Sequence, residues 1–243
     1  MYSKLLEEHG LVTYIGGSDF NFRMATAADT FADDAKALLK QADINPKAIY
    51  TGNQVHGGTV TYADGENGEA FVIGQNIGDA DGLITDKEEV ALLIKFADCT
   101  PIVFFDPVKK VQASVHSGWR STAKKISHVA IQKMVGNFGS DILDIVAFVG
   151  PSIAQENYEV GPEVYEAFAD QADRDIYFKP QNEKYLLDMA LANHQLLLEA
   201  GLAPDNIEVS EKKTYGNDAL HSAREEGKDY ALNGIVSMIK PQA

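Results

Sequence analysis

The sequence predicts a single α/β domain over residues 1–243, with a mixed β-sheet covered by helices. Three observations carry that expectation. Continuous apolar runs at residues 90–96 (VALLIKF) and 102–105 (IVFF) have the length and content of strands buried on both faces. Stretches with apolar residues at helical spacing lie between such runs without strict alternation, which suits a mixed rather than an all-parallel sheet. No Pro/Ser-rich spacer, low-complexity linker or fixed-period repeat marks a seam between two units.

Taken in order, residues 30–42 repeat Phe31, Ala35, Leu38, Leu39 and Ala42 at helical spacing, with Thr30 as the expected N-cap. Residues 48–56 and 59–63 read as strands joined through Gly57-Gly58, 65–68 as a turn, and 79–85 as a turn entering a short strand. After the two apolar runs, Asp106-Pro107 is a break and 111–116 the next strand. Residues 121–135 predict one helix with a stripe of Ala123, Ile126, Ala130 and Met134. A buried strand at 145–149 ends at Gly150-Pro151. Pro162 opens a helix over 163–169, in the first turn where its missing N–H costs nothing. Residues 186–200 predict a helix closed by Gly201, and 207–209 a last strand before a polar, Gly-containing tail.

The formal net charge is −15, from 21 basic against 36 acidic side chains, a field that repels phosphate backbones. Nucleic acid is therefore not an expected partner. The first eight residues are already charged, and no apolar run approaches the roughly 20 residues of a membrane span. A cytoplasmic protein without a membrane partner, monomeric or weakly homo-oligomeric, is expected. The one cysteine cannot form an intrachain disulfide. It fits a reducing compartment and leaves a thiol for metal binding, for nucleophilic work or for plain core packing.

His116-Ser117-Gly118-Trp119-Arg120 follows directly on the 111–115 run, placing an imidazole and a guanidinium at a strand-to-helix turn. Asn53-Gln54-Val55-His56-Gly57 ends another strand-like run, and Ala97-Asp98-Cys99-Thr100-Pro101 sits between two more. His56, Cys99 and His116 together offer two imidazoles and a thiolate, the donor set of a three-ligand metal site with one open position. They are too far apart in the chain for a zinc-finger knuckle, so only the fold can bring them together.

Several motifs carry a family resemblance. They are Gln54-Val55-His56-Gly57, Asp79-Ala80-Asp81-Gly82-Leu83-Ile84-Thr85, Ala97-Asp98-Cys99-Thr100-Pro101-Ile102, His116-Ser117-Gly118-Trp119-Arg120, Tyr158-Glu159-Val160-Gly161 and His221-Ser222-Ala223-Arg224. Their order resembles the YfiH-type family, long called multicopper polyphenol oxidase or laccase-domain protein and now read as purine nucleoside phosphorylase. The resemblance implies a fold related to cysteine hydrolases and a metal held by His56, Cys99 and His116, with Zn²⁺ usual and Cu²⁺ possible. It also implies phosphorolysis of adenosine, inosine and methylthioadenosine, with adenosine deamination as a second activity. The N-terminal stretch Gly16-Gly17-Ser18-Asp19-Phe20-Asn21-Phe22-Arg23 departs from the family pattern, as do Ser152, Asn157, Lys213, His221 and Ala223.

Within that reading, Asp98 and Asp81 are the carboxylates expected to move a proton or to orient a ligand histidine. Arg120, near a helix start, is the expected phosphate fork, with Arg224 a second; the alternative for each is a surface ion pair. Trp119 either walls the pocket, stacks on a purine or packs in the core. Asn53 and Gln54 are candidates for hydrogen bonds to base or ribose, or for satisfying local backbone. Two other enzyme classes stay open: a copper-dependent polyphenol oxidase, and a cysteine hydrolase or amidase using Cys99, including an editing role on peptidoglycan precursors. Six histidines are too few for a blue copper centre plus an imidazole-rich trinuclear cluster.

Overall fold

The computed structural model describes residues 1–241; the last two residues of the expected domain lie outside them. In place of one covered sheet, two six-stranded mixed sheets pack face to face. The first runs, in spatial order, Leu11–Gly16, Asn233–Ile239, Val90–Phe96, Ala48–Asn53, Gly74–Asp79 and Glu69–Phe71. The second runs Ile207–Val209, Val146–Val149, Thr100–Asp106, Val111–Ser117, Gly82–Thr85 and Val60–Tyr62. A third, three-stranded sheet is built from Glu159–Val160, Lys184–Leu187 and Phe178–Gln181.

Strand alternation explains the layering. In Val90–Phe96 the side chains of Leu92, Ile94 and Phe96 enter the space between the sheets, where they meet Leu83, Val103, Phe105 and Phe148 of the second sheet. Ala91 and Leu93 face outward onto Phe31, Ala35 and Leu38 of the helix Phe31–Gln41. The second sheet repeats this: Ile102, Phe104 and Val115 face outward onto Ile126, Ala130 and Met134 of the helix Ile126–Phe138. The result is a helix, sheet, sheet, helix sandwich, and it accounts for strands that are apolar on both faces.

Several boundaries differ from expectation for local reasons. The 48–56 strand stops at Asn53, because His56 takes a left-handed backbone (φ 57°) that no strand continues through. The 121–135 helix is two helices, Trp119–Ala123 and Ile126–Phe138, broken at Lys125 (φ 54°). The 163–169 helix is the shorter Pro162–Glu166, with proline at its start. The 186–200 helix begins only at Met189, behind an Asp188 side chain that caps it by accepting from Leu191 N; residues 184–187 are strand. Thr30 sits at the N-cap position but its hydroxyl makes no capping bond.

The largest correction concerns the chain ends. The tail read as polar contains Asn233–Ile239, a fully buried strand lying between Leu11–Gly16 and Val90–Phe96, antiparallel to both. Leu11–Gly16 and the hairpin of Glu69–Phe71 with Gly74–Asp79 were also not anticipated. No helix among the described residues is long and apolar enough to cross a membrane. Ile235 is 1% exposed in the late strand, so Ile235→Ala is expected to cost about 2–5 kcal/mol in urea unfolding; a change within about 0.5 kcal/mol, as for a surface tail, would contradict this placement.

Candidate metal centre and its cavity

The ends of the two sheets assemble the centre. His56 follows Ala48–Asn53 of the first sheet, Cys99 lies in the three-residue bend that carries the chain from Val90–Phe96 into Thr100–Asp106 of the second, and His116 lies in Val111–Ser117. His116 and Asp81 are cross-strand neighbours beside the Gly82↔Val115 pair, and the His116 N–H donates to the Asp81 carbonyl at 2.7 Å. One ligand atom from each of His56, Cys99 and His116 lies within 4.8 Å of the others, with Cys99 Sγ 3.8 Å from His56 Nε2. Tetrahedral zinc bonds of about 2.0–2.3 Å put such donors roughly 3.3–3.6 Å apart, so only a small closure separates this geometry from a bound ion.

Asp81 organises the cluster. Its carboxylate is fully buried and accepts the backbone N–H groups of Val55 (3.0 Å), His56 (2.9 Å) and Gly57 (2.7 Å), and its Oδ1 lies 2.9 Å from His116 Nδ1. Three consecutive amides on one carboxylate fix the turn that holds His56 in its left-handed conformation. Holding Nδ1 of His116 leaves Nε2 as the donor for a metal. Burial alone would raise the Asp81 carboxyl, but the bonds from His116 and the Gly57 and Val55 amides outweigh it and keep it below its ordinary value.

The donor set is electrostatically prepared. Burial pushes the Cys99 thiol up, yet the imidazoles of His116 and His56 pull it down to about 6, on the thiolate side at neutral pH. His116 is correspondingly raised, the neighbouring Cys99 and Asp81 overcoming the burial that would lower it. Gly118 completes the enclosure: a Cβ there would lie 2.8 Å from His56 Cδ2 and 2.9 Å from Cys99 Sγ, so a side chain would displace two donors.

The other expected site residues take varied places. Asp98, also left-handed (φ 78°), spends both carboxylate oxygens on the C-terminal loop, accepting from Thr214 Oγ1 at 2.6 Å and from the Arg224 N–H at 2.7 Å. Gln54 clamps the main chain of Lys95, accepting from its N–H and donating to its carbonyl. Asn53 accepts from Asn76 Nδ2 at 3.0 Å. Trp119 packs on the cluster around Val160 and Phe168, and the exposed Arg120 guanidinium covers its ring at 4.1 Å. Neither Arg120 nor Arg224 has a carboxylate partner among the described residues. Arg224 lies over the Tyr158 ring at 5.4 Å, and the Tyr158 phenol, raised chiefly by burial, also feels the charges of Cys99, Asp98 and Arg120.

A cavity of about 290 Å³ opens on the triad, with Lys95 and Asn53 along one side and Phe22, Tyr230 and Leu232 as an apolar wall. The N-terminal segment that departs from the family pattern thus lines this cavity through Phe22. Sequence reasoning passed over Lys95, Phe22, Tyr230 and Tyr158. Lys95 carried a signal, as the one charge in the run VALLIKF; the two aromatic wall residues come from chain ends that meet only in the fold.

Asp81→Asn replaces an acceptor by an amide facing four donors, and is expected to weaken metal affinity about 10–100-fold in a competition titration; unchanged affinity would remove Asp81 from its organising role. In metal-free protein, alkylation of Cys99 by iodoacetamide is expected to stay fast at neutral pH and fall only below about 6, because the thiolate is favoured above that point. His116→Ala should move the fall toward the ordinary thiol range, and a profile that does not move would contradict the pairing.

The multi-copper polyphenol oxidoreductase laccase family model matches residues 14–238. Purine nucleoside phosphorylase YlmD of Bacillus subtilis is 32% identical over 166 residues, covering 65% of this chain and 58% of that protein. The chain thus spans under two thirds of that relative's length. Adenosine deaminase RL5, from an unknown prokaryotic organism, is 36% identical over 134 residues, covering 54% of this chain and 51% of that one. The crystal structure of YlmD from Geobacillus stearothermophilus superposes with a TM-score of 0.89 at 22% identity, covering 98% of this chain and 94% of that one. By sequence and by fold, this chain belongs to the multi-copper polyphenol oxidoreductase laccase family, the YfiH-type family its motifs resemble.

Proposed function

We propose that the protein is a metal-dependent purine nucleoside phosphorylase acting on adenosine, inosine and methylthioadenosine, with adenosine deamination as a second activity. The observation that carries this reading is a pair of arginines, Arg120 and Arg224, without carboxylate partners among the described residues, in a chain with 36 acidic side chains that also assembles a His/Cys/His cluster. Arginines left unpaired amid so much negative charge suit an anionic substrate, and inorganic phosphate is the anion a phosphorylase needs. The named activities of relatives, purine nucleoside phosphorylase and adenosine deaminase, agree with it.

His56, Cys99 and His116 would hold Zn²⁺, with Cu²⁺ the alternative ion for the same donors. A divalent ion there supplies Lewis acidity. The chain's own residues do the rest. Arg120 and Arg224 hold and orient phosphate. The apolar wall of Phe22 and Tyr230 receives the flat base and excludes water. Asp81 keeps His116 and the His56 turn in place, and Asp98 anchors the loop that carries Arg224. The protein works in the cytoplasm, where its one thiol stays reduced.

The closeness of Cys99 Sγ to His56 Nε2 also suits a thiolate–imidazolium nucleophile, the cysteine hydrolase reading. Metal separates the two. Phosphate-dependent cleavage of inosine that is abolished by chelation and restored by Zn²⁺ is expected, and a chelator-resistant activity lost on thiol alkylation would favour hydrolysis. Arg120→Ala should reduce phosphorolysis roughly a hundredfold while sparing deamination of adenosine; equal losses would make Arg120 structural.

A further inference from the structure

Lys95 stands alone as a charge in Val90–Phe96. Alternation sends Ile94 and Phe96 between the sheets and Lys95 to the outer side with Leu93. There its ammonium donates to Thr51 Oγ1 and to the Gly52 carbonyl, each at 2.9 Å, both on the neighbouring strand Ala48–Asn53. An ammonium has three N–H donors, so one is left after these two bonds. No carboxylate pairs with Lys95 among the described residues, and burial lowers its pKa to about 8 against the opposing pull of the Asp81 charge. Lys95 lines the same cavity as His56, Cys99 and His116.

A donor to Thr51 and Gly52 needs no charge, and a largely buried cation without a counter-ion is costly to keep. Beyond Thr51, the outer face of this sheet is built from apolar residues such as Ile49, Leu93 and Val236. The natural recipient of the spare N–H is therefore a ligand that becomes electron-rich in this cavity. In phosphorolysis that ligand is the departing purine. Resting on the phosphorylase reading above, we propose that Lys95 is a catalytic residue that protonates the leaving base at its ring nitrogen N7.

The step balances. The C1′–N9 bond breaks and its electron pair goes to the base, a phosphate oxygen bonds to C1′, and Lys95 Nζ passes a proton to N7. The base leaves neutral, and the amine regains the proton that phosphate gives up on becoming a sugar phosphate ester.

Inosine and 7-methylguanosine separate this role from a structural one, because methylated N7 already carries the positive charge and takes no proton. Lys95→Met and Lys95→Gln are expected to lose roughly a hundredfold in kcat on inosine, and at least about tenfold less on 7-methylguanosine, with bound metal unchanged. Equal losses on the two nucleosides, or no loss on either, overturn the assignment. A measurement on the unsubstituted protein covers the case in which both variants fail to fold: a solvent deuterium isotope effect on single-turnover cleavage is expected with inosine and not with 7-methylguanosine, and its absence with inosine overturns the role. If the unsubstituted protein cleaves neither nucleoside with phosphate, the phosphorylase reading falls and this assignment falls with it.

Discussion

The buried carboxylate of Asp81 is the constraint on which the site depends. Removing an ionised carboxylate from water costs several kcal/mol, and it persists only when charge-assisted hydrogen bonds replace its hydration. Asp81 has four such partners: the amides of Val55, His56 and Gly57, and the ring of His116. The same bonds that satisfy the charge build the site. They hold His56 in a backbone conformation that costs a non-glycine residue roughly 1–2 kcal/mol, and they fix which nitrogen of His116 faces Cys99. Two imidazoles from different sheets are thereby aimed at a thiol on the segment that joins the sheets. Asp98 repeats the device, its own left-handed backbone tied down through Thr214 and the Arg224 amide.

Charge is distributed against the average of the chain. The molecule carries a formal net charge of −15, yet Lys95, which lines the cavity on the triad, and Arg120 and Arg224 are in no ion pair among the described residues. On the proposed reading, a field that repels polyanions at long range leaves these cations to take one compact anion. Arg120 lies on Trp119, and Arg224 lies over Tyr158 while its guanidinium donates to the carbonyls of Asn157 and Glu159. A buried polar network behind this corner, in which Ser117 Oγ meets Thr122 Oγ1 and Asn193 Oδ1, holds the strand-to-helix turn rigid.

The parts of this arrangement visible in the sequence are those written in local pattern. VALLIKF and TPIVFFD declare themselves as strands because both faces are largely apolar, the trace of a sheet buried on two sides, while VQASVHS shows alternation, with Val111, Ala113 and Val115 on one face and Gln112, Ser114 and His116 on the other. The second sheet went unread because nothing in a run of apolar residues says what covers it. Asn233–Ile239 was hidden by its composition: Asn233, Gly234 and Ser237 look like a loop, and the polar side chains are satisfied through the fold, Asn233 by Phe96 O and the His221 main chain and Ser237 by Ser114 Oγ. The break at Lys125 is a backbone choice inside a helix-favouring stretch. His56, Cys99 and His116 were legible as a donor set; that Gln54 would be spent on Lys95, and Asp98 on Thr214 and the Arg224 amide, was not, because those partners lie far away in the chain.

Amide hydrogen exchange resolved at Val55, His56 and Gly57 in the metal-free protein tests the Asp81 anchor most directly, since it reads the three bonds without help from a bound ion. The account predicts that all three amides exchange with the slow, cooperative protection of the adjoining sheet ends. Exchange at the rate of an open loop at these positions, with the neighbouring strands still protected, would contradict it.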